Sequence, residues 1–436
     1  STLKPGAQVT VSRDQRTISR MVSRSLIAGL MSVGVNILNL EATAIPVARS
    51  MVPSLAIGGG IHVRVHPDRP DYILIEFFDN KGINISKARE KKIEGAYFKE
   101  DFRRAQIHEI GNVAYANQLL DTYGISFERH LNVEAIRHSS SKVVIDYVYA
   151  VSGAVLPQIL AKFGCDAVVL NASLNQTGPT NADREALLSQ LGHVVEAVKA
   201  TFGVQVYANG EQLILVDEAG SPIRGEMLTA LMTELMMTQH PRGAIVVPVH
   251  ASSAVEQIAR RHDGRVIRTK ANPTALMEAC QTSGNVVLGG SGDMGFIFPT
   301  LHPGFDAMFC IAKIIELLTI QERSLGQIRA DLPRISHKTY TVRCPWSAKG
   351  ALMRHLVETH PVECLELIDG VKVFDYHHDG WVLILPDAGE PLVHIFANST
   401  DRGWVDETLR EYRIRVQEFV DQEQEDEEVY AESSLY

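Results

Sequence analysis

The chain has 436 residues, too many for one hydrophobic core, so three or four domains of ordinary size are expected. Apolar residues at 45% and charged residues at 22% give the balance of a water-soluble globular protein, with no apolar run long enough to cross a bilayer and no secretory signal. The formal charge is −10, but residues 421–436 hold seven acids and no Lys or Arg, leaving −3 for the rest.

There is no basic stripe and no finger or RNP motif, so nucleic acid is excluded as a partner, as is a membrane. Five cysteines (Cys165, Cys280, Cys310, Cys344, Cys364) are odd in number and form no CxxC pair. Reduced thiols in the cytoplasm fit this better than a disulfide framework.

Residues 1–8 are polar and carry Pro5-Gly6, like the end of a linker. Val9-Thr10-Val11 then reads as a buried strand leading into Ser12-Arg13-Asp14-Gln15-Arg16. Ile18, Met21, Val22, Leu26 and Leu30 recur at helical spacing and predict an amphipathic helix with those residues inward. A strand restarts over 35–38, Pro46 opens a second helix, and Gly58 to Ile61 begins a third strand. Strand–helix–strand–helix–strand implies right-handed crossovers and a largely parallel sheet. Polar helices are expected over roughly 86–123.

The plan then repeats. A second unit runs from a strand at 142–146 through Ser152-Gly153-Ala154, a helix at 155–163, a strand at 167–170 and a helix at 183–202. A strand, turn and strand follow to Glu226. A third unit has a strand at 244–249, a helix at 253–262, strands at 265–268 and 285–290, and a long helix near 306–321. Three units of one plan suggest an internal triplication. After Pro333 the pattern changes to alternating strands at 339–342, 371–374, 380–385 and 392–397, with helices at 348–359 and 404–420. The expected fold class is three similar α/β domains with mixed, mostly parallel sheets and a C-terminal α+β domain around a central cleft. The expected boundaries are 1–138, 139–240, 241–335 and 336–422, with an acidic, disordered tail at 423–436.

Four loops carry the chemical question. The first, Gly59-Gly60-Ile61-His62-Val63-Arg64-Val65-His66-Pro67-Asp68-Arg69-Pro70-Asp71-Tyr72, resembles the nucleophile loop G-G-I-x-I-T-A-S-H-N-P of the α-D-phosphohexomutases, the phosphomannomutase/phosphoglucomutase superfamily. The family's phosphate-carrying Ser corresponds to His66, and its Asn to Asp68. The metal loop D-G-D-x-D-R-L falls on 207–213, where Tyr207, Asn209 and Glu211 leave one carboxylate of three, followed by Gln212. Mg²⁺ prefers hard anionic oxygens, so no cofactor is expected unless the chain is an active mutase. The sugar loop G-E-x-S-G-H falls on Gly290-Ser291-Gly292-Asp293-Met294-Gly295, with Ser291 for the Glu and Gly295 for the His, and Asp293 left as a polar candidate. The phosphate loop R-P-S-G-T-E-P becomes Leu385-Pro386-Asp387-Ala388-Gly389-Glu390-Pro391, and an acid at Asp387 repels phosphate. Arg13, Arg16, Arg64, Arg69, Lys270 and His302 are the remaining candidates for holding an anion in the cleft, beside their plainer reading as surface or helix-end residues.

The loops at 63–70 and 385–391 also resemble the mutase-like region of cyanobacterial fusion proteins labelled mannose-1-phosphate guanylyltransferase. That resemblance implies an upstream portion, sugar-nucleotide metabolism, a sugar nucleotidyltransferase partner and an oligomeric intact protein. This chain has no nucleotidyltransferase signature. Three readings stay open: a catalytically silent regulatory, ligand-sensing or assembly module; an active phosphomannomutase or phosphoglucomutase with an atypical nucleophile such as His66; and a different small-molecule site in the same interdomain cleft, for a nucleotide. A sugar phosphate or a nucleotide is the ligand class expected.

Overall fold

The computed structural model describes residues 6–67, 69–100, 104–139, 141–173 and 181–433. Asp68, the first residues of the N-terminal linker and the last three of the tail lie outside them.

Strand β1 (Gln8–Arg13) sets Val9 and Val11 on one face and Thr10 and Ser12 on the other, all buried, as in a strand covered on both sides. Helix Thr17–Ser32 crosses to parallel β2 (Asn36–Ala42), and helix Ile45–Ser54 crosses to β3 (Gly60–Val65), parallel to β1. Antiparallel β4 (Ile73–Phe78) and parallel β5 (Val113–Tyr115) complete the order β4-β3-β1-β2-β5.

The second unit contains β6 (Lys142–Asp146), β7 (Asp166–Leu170), β8 (Phe202–Val206), β9 (Leu213–Val216) and β10 (Pro222–Ile223). The third contains β11 (Ala244–Pro248), β12 (Arg265–Thr269), β13 (Val286–Ser291), β14 (Gly295–Phe298) and β15 (His302–Phe305). In every unit the second, first, third and fourth strands lie side by side, the first three parallel and the fourth reversed. The triplication is thus present in topology, although residue identity between the units is low.

The fourth unit is wholly antiparallel, in the order β16-β20-β19-β18-β17, from β16 (Ser336–Arg343), β17 (Leu365–Glu366), β18 (Val371–Asp375), β19 (Gly380–Pro386) and β20 (Leu392–Ser399). The expected fold class is what the structure shows.

One continuous apolar core runs through the first three units, joining Ile45 and Met51 to Ile145, Leu231 and Phe309. Helix Ala307–Gln321 lies at its centre and is buried on every side from Ala307 to Leu318. The fourth unit has its own core around Val342, Ile384, Ile395 and Val416. A smaller buried cluster, Val249 against Trp381, Leu383 and Leu385, joins the fourth unit to the third.

Three expectations change. Helix Thr17–Ser32 buries Ser19 and Ser23 against the sheet and leaves Ile18 and Met21 exposed. Small side chains let that helix approach closely, and periodicity alone cannot choose the inward face. The polar stretch at 86–123 contains the short strand β5, and its second helix runs on as Leu119–His130. Three residues are too few to alternate visibly. The acidic tail is not disordered through 433. It continues helix Arg402–Ser433, because its Glu, Gln and Ala residues are good helix formers.

Candidate functional site

The four loops meet. The first is held by Asp14, whose carboxylate accepts the Arg16 N–H at 2.8 Å and the Val65 N–H at 2.9 Å. Strand β3 delivers His66 to the rim of a cavity of about 320 Å³ between the first and second units, lined also by Arg16, Arg64, Arg184, Tyr207 and Asn209. The metal loop touches the sugar loop, since Gln212 Nε2 donates to the Asp293 carbonyl at 2.8 Å. Gly295 has φ +96, and a Cβ there would stand 2.2 Å from the Glu211 carbonyl, so only glycine permits this approach. The phosphate loop closes the ring through an ion pair between Arg69 and Glu390.

At three of the four loops, the residue at the expected functional position is engaged by the protein's own groups. His66 accepts the Arg69 N–H on Nδ1 at 3.1 Å, while its own N–H donates to the Tyr72 carbonyl at 2.9 Å. An engaged Nδ1 lone pair leaves Nε2 as the protonated nitrogen of the neutral ring, which offers no free lone pair to a phosphoryl group. At the metal loop, Glu211 is buried and receives Arg49 Nε at 3.1 Å and the Asn209 amide at 3.2 Å. Burial pushes the Glu211 carboxyl above the usual range, and Arg49 pulls it part of the way back. The Arg49 guanidinium thus supplies the positive charge a divalent ion would bring. With Tyr207 and the Asn209 amide beside it, this donor set does not fit Mg²⁺. Among the described residues, no group of three or more His, Cys, Asp or Glu side chains is placed to hold a metal ion.

The phosphate loop is the most explicit case. Asp387 Oδ1 accepts the Gly389 and Glu390 N–H groups at 2.7 and 2.8 Å, and Oδ2 lies 3.0 Å from His394 Nε2. Burial pushes the Asp387 carboxyl up, but His394 and the two loop amides together hold it below its usual range. Loop amides of the kind that bind a phosphate are turned onto an internal carboxylate. Lys349, nearly buried above the Trp346 ring, donates to the Asp387 and Glu390 carbonyls at 2.6 and 2.5 Å and fixes the loop. Ala388 adds no polar group.

The other candidates separate. Arg64 is clamped by Glu76 at 2.8 and 3.3 Å, which draws the Glu76 carboxyl below its usual range despite burial. Arg13 is tied to Glu41 at 2.8 Å and lies outside the cavity lining. Lys270 is exposed at the end of β12 and also lies outside it. His302 is buried, 3.1 Å from Asp306, whose carboxylate also receives the Tyr123 hydroxyl at 2.5 Å and caps helix Ala307–Gln321. Ser291 is buried with no hydrogen-bond partner for its hydroxyl, and Asp293 is exposed beside the cleft. Only Arg16, Arg64, His66, Tyr207, Asn209 and Gln212 of the predicted residues line the cavity.

Sequence reasoning missed Arg49, Arg184, Asp14 and Lys349. Arg49 had a signal, being the one charge inside the apolar helix Ile45–Ser54, where an unpaired charge is not tolerated. A further feature is the αL backbone at both Val148 (φ 49) and Tyr149 (φ 60), at the cavity floor. Asp146 holds this turn by accepting from the Val148 N–H, Asn171 and Gln205.

Models of phosphoglucomutase/phosphomannomutase α/β/α domains I, II and III match residues 1–104, 121–220 and 224–335. A phosphoglucomutase/phosphomannomutase of Thermococcus kodakarensis is 27% identical over 409 residues, covering 93% of this chain and 88% of that protein. A probable phosphoglucosamine mutase of Methanopyrus kandleri is 27% identical over 421 residues, with coverages of 95% and 90%. Among solved structures, a phosphoglucomutase/phosphomannomutase family protein of Burkholderia thailandensis superposes with a TM-score of 0.81 at 18% identity, covering 95% of this chain and 90% of that one. Fold, loop order and these matches agree: the chain belongs to the phosphoglucomutase/phosphomannomutase family, the α-D-phosphohexomutase superfamily.

Proposed function

We propose that the chain is a phosphohexomutase-fold module that does not turn over hexose phosphates. Its role is regulatory, ligand-binding or structural for a sugar-nucleotide enzyme of the mannose-1-phosphate guanylyltransferase kind. The observation that carries this reading is the Asp387 carboxylate seated on the Gly389 and Glu390 amides, with Glu390 itself paired to Arg69. Phosphoryl transfer is mostly positioning and charge stabilisation, so a site whose anion cradle and cation position are internally neutralised lacks both.

The names of the relatives favour the second reading, an active mutase. It requires His66 to present a free nitrogen, and the Arg69 N–H on Nδ1 opposes that. The test is conversion of mannose 1-phosphate or glucose 1-phosphate with Mg²⁺ and a hexose bisphosphate, for the wild-type chain and His66→Ala. We expect no turnover in either. Wild-type turnover abolished in His66→Ala would establish the mutase and overturn the proposal.

A further inference from the structure

A larger cavity, of about 640 Å³, lies outside the cleft, where helix Ala254–Arg261 and β12 of the third unit face β17, β18 and β19 of the fourth. Its floor is charged but closed. Arg268 is bidentate to Glu256 at 2.8 and 3.0 Å and donates to the Val249 and Ala251 carbonyls. Lys372 is buried 4.2 Å above the Trp381 ring and donates to the Val249 carbonyl at 3.2 Å.

The walls are not closed. Phe374 and Tyr376, alternate residues on one face of the chain, stack with centroids 6.1 Å apart and planes 11° apart. Tyr376 is 72% exposed. Both line the cavity, and the Tyr376 hydroxyl donates to the Glu363 carbonyl at 3.2 Å, which fixes the exposed ring. Glu366, by contrast, is closed, its buried Oε2 ion-paired with Lys372 Nζ at 3.5 Å. Asp379 and Arg260 line opposite sides, and neither side chain makes a hydrogen bond or ion pair among the described residues. The volume is that of a small-molecule site, and the open groups are three kinds of chemistry in one place.

We propose that this cavity binds a nucleotide. Its base stacks on Tyr376, its ribose hydroxyls donate to the two oxygens of the Asp379 carboxylate, and its phosphates lie against Arg260 at the solvent rim. Stacking answers the exposed ring, a diol answers two acceptors, and an anion answers the unpaired guanidinium. A hexose phosphate has no aromatic ring to stack on Tyr376. The bound ligand would bridge the third and fourth units. The site is separate from the cleft and does not depend on whether the cleft turns over substrate.

The test is titration of the full chain with ADP, GDP and glucose 1-phosphate by calorimetry, beside Tyr376→Ala, Tyr376→Phe and Arg260→Ala. Both residues are exposed, and circular dichroism checks that each variant is folded. We expect ADP or GDP to bind. Tyr376→Ala should weaken binding about tenfold, the loss of one stacking partner. Tyr376→Phe should leave it unchanged, and Arg260→Ala should remove the preference for diphosphate over nucleoside. No nucleotide binding up to about 5 mM would overturn the inference. So would binding that survives both alanine substitutions and is lost in Arg16→Ala, which would put the ligand in the cleft.

Discussion

Removing the Arg49 side chain tests the view that the metal position is neutralised from within. Arg49 is 2% exposed, donates to Glu211 at 3.1 Å, the Gly82 carbonyl at 3.1 Å and Asn84 at 2.8 Å, and lies 4.2 Å above the Phe78 ring. Arg49→Met keeps most of the apolar stem and deletes the charge. It strands a buried carboxylate and two acceptors, a class of change that costs about 3–5 kcal/mol. The loss has a ceiling, because Glu211 is already pushed up by burial and can take a proton instead.

The cost should therefore be larger at pH 8 than at pH 5.5. Adding Glu211→Gln to Arg49→Met should recover most of it, leaving about 1–2 kcal/mol for the orphaned acceptors. Urea denaturation of wild type, both single variants and the double variant at the two pH values measures the coupling. A single-variant loss under about 1 kcal/mol, or equal losses at both pH values, would refute the reasoning.

Further outcomes follow from the same geometry. Asp387→Ala frees the Gly389 and Glu390 amides and should raise affinity for inorganic phosphate several-fold in calorimetric titration, whereas unchanged affinity would mean those amides do not form a cradle. Lys349→Met removes two hydrogen bonds that anchor the same loop, and should cost about 1–3 kcal/mol, read from the urea midpoint. Mg²⁺ should move the thermal midpoint of the wild-type chain by less than about 1 °C, since a ligand stabilises only what it binds.

The pH dependence has a definite sign. Burial holds His62 and His250 down to about 4 and His337 to about 3, from 6.5, so the unfolded chain takes up more protons below pH 6.5. Their contribution to stability is lost as pH falls through that window, by about 1.4 kcal/mol per unit for each proton. Glu226, pushed up to about 7 by burial, works in the opposite direction between 4.5 and 7. His240 is lowered too, and Glu211 and Asp293 are raised like Glu226; four histidines outweigh three carboxyls, so the urea midpoint should fall from pH 6.5 to 4.5, and a rise would contradict the assignment. His250 stacks on Phe396 and His337 packs on Trp381, so acid should loosen the junction of the fourth unit.

The sequence by itself determined the architecture. Alternating and continuous apolar runs located most strands, because each β-face must bury its side chains wherever the chain goes, and loop order carried the family. It also showed that the residues at four loops depart from the family pattern, since identities at His66, Tyr207, Ser291 and Asp387 are visible without coordinates. Only the tertiary structure decided what replaced that chemistry. Arg49 and Glu211 are 162 residues apart, and Arg69 and Glu390 are 321 apart. No local pattern links such pairs, because charge neutralisation depends on distance in space and on exclusion of water. The same reason hid the inward face of helix Thr17–Ser32: periodicity marks an apolar stripe, whereas close packing on the sheet selected the small Ser19 and Ser23.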